Sequence, residues 1–185
     1  MEEFFSALEG PVLLWIQEYL RSDLLTPAVT FITHLGDGGR LWIALTLLFL
    51  ILPRLRRTGF LMLCSLLLNT LLNNIILKNL VARTRPYEIV EGLVSIVGEQ
   101  SDFSFPSGHT GASFAAAVVI FLMCPRKVGV PVLVLAVLIS LSRLYVGVHF
   151  PTDVLVGAVI GTAAAVFVCW IYRKKTTDAM RWETF

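Results

Sequence analysis

An arginine, a histidine and an aspartate interrupt otherwise apolar sequence in SRLYVGVHFPTD (142–153), where Arg143 stands six residues before His149 and Asp153 four after it. Pro151 is preorganised for the first turn of a helix, so the spacing predicts a helix beginning near residues 150–152. His149 would then sit at the mouth of that helix, with the Asp153 carboxylate one turn in and within reach of the imidazole. A carboxylate that holds one ring nitrogen leaves the other as a base or nucleophile. An HxxxD pattern alone is common by chance; two further clusters give it weight.

In KNLVARTRP (78–86), Lys78 and Arg85 lie seven residues apart on one side of a helix end, and Pro86 helps to stop that helix. Basic residues also end membrane spans simply by snorkelling. In FPSGH (105–109), Pro106 and Ser107 open a helix whose free N–H groups suit a phosphate. Gly108 lets the backbone come close to a ligand, His109 is aimed at the same place, and Ser107 reads equally well as a plain N-cap. Lys78, Arg85, Arg143, His109, His149 and Asp153 together give three cations, two histidines and one carboxylate. Such a set repels a divalent metal and suits the oxygens of a phosphate, so neither a zinc or magnesium centre nor any other cofactor is expected.

The chain that must position these residues is 56% hydrophobic and 15% charged, with a mean hydropathy of +0.78, which marks a membrane protein of one domain over 1–185. A net charge of +2 and the lack of a basic run interleaved with aromatics exclude nucleic acid as a partner. Five apolar runs, Leu41–Leu52, Phe60–Leu77, Gly108–Cys124, Val128–Leu144 and Val154–Tyr172, approach the ~20 residues that cross hydrocarbon. Before them, Phe4, Phe5, Leu8, Val12, Trp15, Ile16, Tyr19 and Leu20 recur at helical spacing among Glu9, Gln17, Glu18 and Arg21. The expected architecture is therefore all-α. It is an integral-membrane bundle of about five or six transmembrane helices, with an amphipathic segment over 4–35 at the interface and a catalytic core over 60–172. A short helix over Leu24–Leu35 closes that segment, and Gly36-Asp37-Gly38-Gly39 reads as a turn. The acids of MEEFFSALEG stand where a secretory leader needs bases, so no cleaved leader is expected.

Three basic clusters, Arg54/Arg56/Arg57, Arg126/Lys127 and Arg173–Lys175, follow the first, third and fifth runs and fall on one face of a five-span bundle. That face should be cytoplasmic, which leaves the 78–107 and 143–153 segments together on the outer face. Asn69, Asn73 and Asn74 share a helical face that should turn into the bundle and form interhelical hydrogen bonds. Gly157 and Gly161 permit close helix contact, Trp42 and Trp170 suit interfacial belts, and His34 reads as structural. Cys64, Cys124 and Cys169 lie in separate apolar runs as small core or lipid-facing side chains.

K-x6-RP, PSGH and SR-x5-H-x3-D are also the three motifs of the type-2 phosphatidic acid phosphatase family, which includes the lipid phosphate phosphatases. The chain resembles that family at every fixed position, in KNLVARTRP, PSGH and SRLYVGVHFPTD, over roughly residues 60 to 172. The first membrane helix of its six-span members is missing here or replaced by the amphipathic segment. The resemblance implies a metal-independent hydrolase of lipid phosphate monoesters or diphosphates: phosphatidic acid, phosphatidylglycerophosphate or a polyprenyl diphosphate. By the same resemblance His149 attacks phosphorus, Asp153 orients it and His109 protonates the leaving oxygen. Lys78, Arg85 and Arg143 would hold the phosphoryl oxygens, with Ser107 and the Gly108 amide assisting. The expected home is a bacterial inner membrane, with the site on the extracytoplasmic side and lipids as partners. Two other readings compete. A vanadium haloperoxidase shares the anion-binding set but is soluble, against this hydropathy. An anion transporter or non-catalytic phospholipid binder would need the cations but neither histidine.

Overall fold

Long apolar runs leave backbone N–H and C=O groups no water to bond within a bilayer, and helix satisfies them internally. The computed structural model describes residues 2–182, and side chains for 6–175; no strand occurs among the described residues. The chain opens with α1 (Glu2–Trp15), continued by a π-helical turn over Ile16–Leu20, and then α2 (Thr26–Leu35). A 3₁₀ turn at Asp37–Gly39 leads into α3 (Arg40–Ile51). Next, α4 (Arg56–Asn69) runs through a π-helical stretch, Thr70–Leu77, into α5 (Lys78–Val81). The short α6 (Pro86–Ile89) is followed by α7 (Gly108–Met123), α8 (Arg126–Tyr145) and α9 (Pro151–Trp182).

Three of these stretches are long and apolar enough to cross a bilayer: Arg56–Ile89, Arg126–Tyr145 and Pro151–Lys175. The first expected run does not stand alone. Thr26–Leu35 and Asp37–Ile51 are together long and apolar enough for one crossing element, broken by a 44° bend, so α2 continues the apolar run of α3 across the glycine-rich turn. Gly38 (φ 57°) and Gly39 (φ 67°) at the break hold left-handed geometry that glycine adopts without a Cβ penalty. The 16-residue α7 is apolar but shorter than a full span and lies in the middle, against α9, α8 and α4. Ala116, Ala117, Val119 and Ile120 of α7 are buried with Trp42, Met62, Ile139 and Ala165 in the main core.

The α7–α9 contact depends on missing side chains. A Cβ at Gly161 would lie 2.3 Å from Gly111 O and 2.9 Å from Ala115 N; one at Gly157 would lie 2.7 Å from Ser107 O. The glycines expected to allow close approach therefore bring two backbones together. Trp42 departs from expectation: it is fully buried, because it packs among the residues of the main core and donates Nε1–H to Ser113 Oγ at 2.9 Å. Trp170, 56% exposed, keeps a surface position. Asn69 and Asn73 are buried as expected, but the bond found is Asn73 Nδ2–H to Asn74 Oδ1 (2.8 Å), within one helix. The widened π-helical turns change the register that an α-helix would give these residues. Asn69 packs its amide against Gly111 instead.

The N-terminal helix presents mixed faces: Leu8, Val12, Trp15, Glu18 and Tyr19 are exposed, while Glu9 and Leu13 are buried. Gln17 donates to Gly92 O, and Arg21 donates to Tyr145 O and Val94 O. Its protein-facing side thus joins polar Glu9, Gln17 and Arg21 to apolar Leu13, and its outward side is largely apolar. Phe4 and Phe5 lie outside the described side chains. At the other end of the bundle Arg173 donates to Leu122 O (3.2 Å), and Thr58 and Cys124 share a side-chain hydrogen bond, so the three basic clusters share one end.

Substitution of Gly161 by Ala should force α7 and α9 apart and cost about 1–3 kcal/mol. Thermal unfolding in detergent, compared with Val159→Ala on the exposed face of α9, would show this as a lowered midpoint for the glycine variant alone.

Candidate active site

The end of the bundle opposite the basic clusters collects the residues singled out for chemistry. His149 lies in the loop between α8 and α9 and is 1% exposed. Arg85 donates through Nη1 to Val148 O (2.7 Å) and to His149 Nε2 (3.2 Å). A guanidinium has only donors, so Nε2 must present its lone pair. The proton of the neutral ring is then on Nδ1, which faces Asp153 Oδ2 at 3.5 Å. The carboxylate is thus poised beside the ring, at a longer separation than a formed hydrogen bond. Burial, followed by the positive charges of Arg85, Arg143 and Lys78, pushes the His149 pKa well below 6.5 and keeps the ring neutral.

Asp153 is fully buried and fully engaged. Its Oδ1 accepts from Arg83 Nη1 (2.7 Å), and its Oδ2 accepts from Phe150 N (2.8 Å) and from the Ser104 hydroxyl. The Phe150 bond closes the first turn of α9, where Pro151 opens the helix. The main chains of two motifs meet here, since Ser107 N donates to Asp153 O at 3.0 Å. Ser107 itself is buried and caps α7, its Oγ accepting from Thr110 Oγ1 (3.1 Å) and Thr110 N (3.5 Å).

Lys78 and Arg85, brought together from the two ends of KNLVARTRP, both bond the Asp102 carboxylate. Arg85 also donates Nε–H to Asp102 O (3.0 Å). Burial raises the Asp102 pKa, but the hydrogen bonds and charges of Lys78 and Arg85 outweigh it and hold it below its ordinary value. Arg143, 2% exposed, donates Nη1–H to Thr33 Oγ1 of α2 (2.7 Å). His109 bonds Asp37 through Nε2 (2.9 Å), and the other Asp37 oxygen meets His34 Nδ1 (2.8 Å). The His109 ring packs where a side chain on Gly36 would be, since a Cβ there would lie 2.6 Å from Cδ2. A cavity of about 240 Å³ opens between these groups, lined by Lys78, Asp102, Gly108, His109 and Asn74 and, towards its apolar side, by Ile43 and Leu66.

Sequence reasoning missed Asp37, Asp102, Arg83, Ser104, Thr33 and Glu9, which complete the bonding of the residues it found. Asp37 was absorbed by a glycine-rich turn, and Asp102 sits in a loop with no periodicity. Arg83, inside the first motif, was the one with a visible signal: a further buried cation beside Arg85 needs a carboxylate.

The geometry has counterparts in known proteins. The model of the PAP2 superfamily matches residues 58–177. The undecaprenyl-diphosphatase of Sulfolobus acidocaldarius is 34% identical over 121 residues, 65% of this chain and 58% of that protein. The chain spans 58% and 42% of the length of the first two curated relatives it matches. Among solved structures, the crystal structure of Aquifex aeolicus LpxE is similar at a TM-score of 0.78 and 29% identity, over 88% of this chain and 94% of that one. The crystal structure of the first transmembrane PAP2 type phosphatidylglycerolphosphate phosphatase from Bacillus subtilis matches at 0.72 and 29%, over 93% and 86%.

Replacing Asp102 by Asn leaves Lys78 and Arg85 without the carboxylate they share. Inhibition by orthovanadate, a phosphate mimic, should then tighten by about 1 kcal/mol, roughly fivefold. Inhibition curves of the two proteins at one ionic strength would measure it.

Proposed function

This chain belongs to the PAP2 superfamily, and from that premise we propose that it is a membrane phosphatase that removes phosphate from a lipid phosphate monoester or diphosphate through a phosphohistidine. The observation that carries this reading is the Arg85 N–H on His149 Nε2, which fixes a lone pair on the nitrogen that faces the cations. In the proposed reaction the phosphoryl group displaces Asp102 from Lys78 and Arg85. Nε2 bonds phosphorus, the bond from phosphorus to the lipid oxygen breaks, and that oxygen takes a proton from His109. The ring, still carrying its Nδ1 proton, becomes cationic, and Asp153 stabilises it. Water then attacks phosphorus, gives its proton to His109, and frees phosphate. Positioning and neutralisation of oxygen charge supply most of the rate in such transfers.

The lipid tail is proposed to lie along Ile43 and Leu66 at the apolar side of the cavity, with its headgroup towards Lys78 and His109. Polyprenyl diphosphate and phosphatidylglycerophosphate are the preferred candidates, supported by the activities named for the archaeal relative and the Bacillus structure. The proposed setting is a bacterial inner membrane with the site on the extracytoplasmic side, supported by the clustering of basic residues at the opposite end.

Two measurements test the reading. The protein in detergent with excess EDTA should release phosphate from one of these lipids, and His149→Ala should lower the rate by about 10⁴-fold or more; a rate abolished by the chelator counts against the mechanism. The acid limb of kcat/KM should fall below pH 6.5 once the substrate's own ionisation is corrected for. The sign follows from the depressed His149 pKa: the nucleophile is lost only when the ring gains a proton, and burial and its cationic neighbours delay that to lower pH.

A further inference from the structure

Arg83 lies 7% exposed between two carboxylates on different helices. Its Nη2 donates to Glu9 Oε2 (2.7 Å), its Nη1 to Asp153 Oδ1 (2.7 Å) and Thr152 Oγ1 (2.8 Å), and its CZ carbon stacks 3.9 Å above the centre of the Phe150 ring. Glu9, on α1 and 5% exposed, has both oxygens in use. Oε1 accepts from Thr152 N (2.7 Å), and Oε2 accepts also from Thr152 Oγ1 (2.9 Å). Thr152 is the second residue of α9, so a carboxylate from another helix satisfies one of the amides that α9 leaves unbonded at its start.

We propose that Glu9, which lies outside the residues matched by the superfamily, is a positioning residue that divides the Arg83 guanidinium between two carboxylates and so sets Asp153 against His149. This inference rests on the reading of His149 and Asp153 given under Proposed function. The guanidinium fork suits bidentate pairing with a single carboxylate. With Glu9 on Nη2, Arg83 Nη1 meets Oδ1 of Asp153, and Oδ2 stays with Phe150 N and Ser104, beside the imidazole. Two carboxylates and one guanidinium leave the trio with net negative charge, which favours a ring that turns cationic on bonding phosphorus. Without the Glu9 charge, the trio is neutral and both arms of the fork can turn to Asp153, drawing Oδ2 from Nδ1. A mere latch for α1 explains the Thr152 bonds; it does not require the guanidinium to be shared.

The test uses the full chain in detergent micelles with nitrogen-15 histidine. The sequence holds three histidines, so the His149→Ala spectrum assigns the relevant signals. Glu9→Gln keeps the size and an acceptor oxygen and removes the charge. The ring signals of His149 should shift while those of His34 and His109 stay in place. On phosphatidylglycerophosphate, kcat should fall roughly 10- to 100-fold with KM within about twofold. Unmoved His149 signals with unchanged kcat overturn the proposal, and so does a shift of all three histidines together, which marks general loosening. A wild-type chain that releases no phosphate sinks the phosphatase reading, and the histidine spectra then decide alone for or against Glu9.

Discussion

A guanidinium cannot shed its proton, and this rule organises the whole upper end of the bundle. Arg83, Arg85 and Arg143 are buried with Lys78 in a protein whose surroundings are hydrocarbon. Removing such charges from water is costly unless carboxylates and hydrogen bonds answer them. The fold answers with Glu9, Asp102 and Asp153, drawn from α1, a loop and α9, and with Thr33 and main-chain carbonyls such as that of Val148. The ion pairs also form the scaffold of the site. The cations stay charged and fixed beside an imidazole that stays neutral, which is the division of labour that a nucleophile next to a phosphate needs.

The second requirement is distance. The PSGH and SR-x5-H-x3-D stretches sit on different helices, and a phosphate-sized site forms only if those helices approach more closely than side chains normally allow. Gly157, Gly161 and Gly111 remove the obstacle, and the Ser107–Asp153 main-chain bond joins the two motifs directly. In lipid, where no hydrophobic force drives helices together, such contacts supply much of the association. The same stripe of small residues therefore holds the bundle together and sets the span of its site.

The membrane class, the helical architecture and the residues gathered at one end of the bundle were legible in the sequence. Arginine, lysine, histidine and aspartate are so unfavourable in apolar runs that each one present asks for a reason. What was not legible depends on partners far along the chain. Glu9 read as part of an exposed polar stripe because nothing local says that it meets Arg83, 74 residues later. The N-terminal helix carried an amphipathic pattern, but which of its side chains meet protein was hidden: Glu9 and Leu13 are buried while Leu8 and Val12 are exposed. Trp42 was misplaced for a like reason: nothing local says that its indole meets Ser113, 71 residues later. The asparagines were placed on the right side of their helix, yet the π-helical turns that alter their bonding leave no mark in hydropathy.

The bent α2–α3 span has a consequence for the histidine assigned the proton transfer. His109 rests in the hollow of a side chain that Gly36 lacks, so a neighbour's curvature forms the wall behind the ring. Membrane elements tilt and flex to match the thickness of the lipid around them. Any change of curvature at this turn would move the wall behind the ring, so the shape of one neighbouring bend is part of the surroundings of the imidazole.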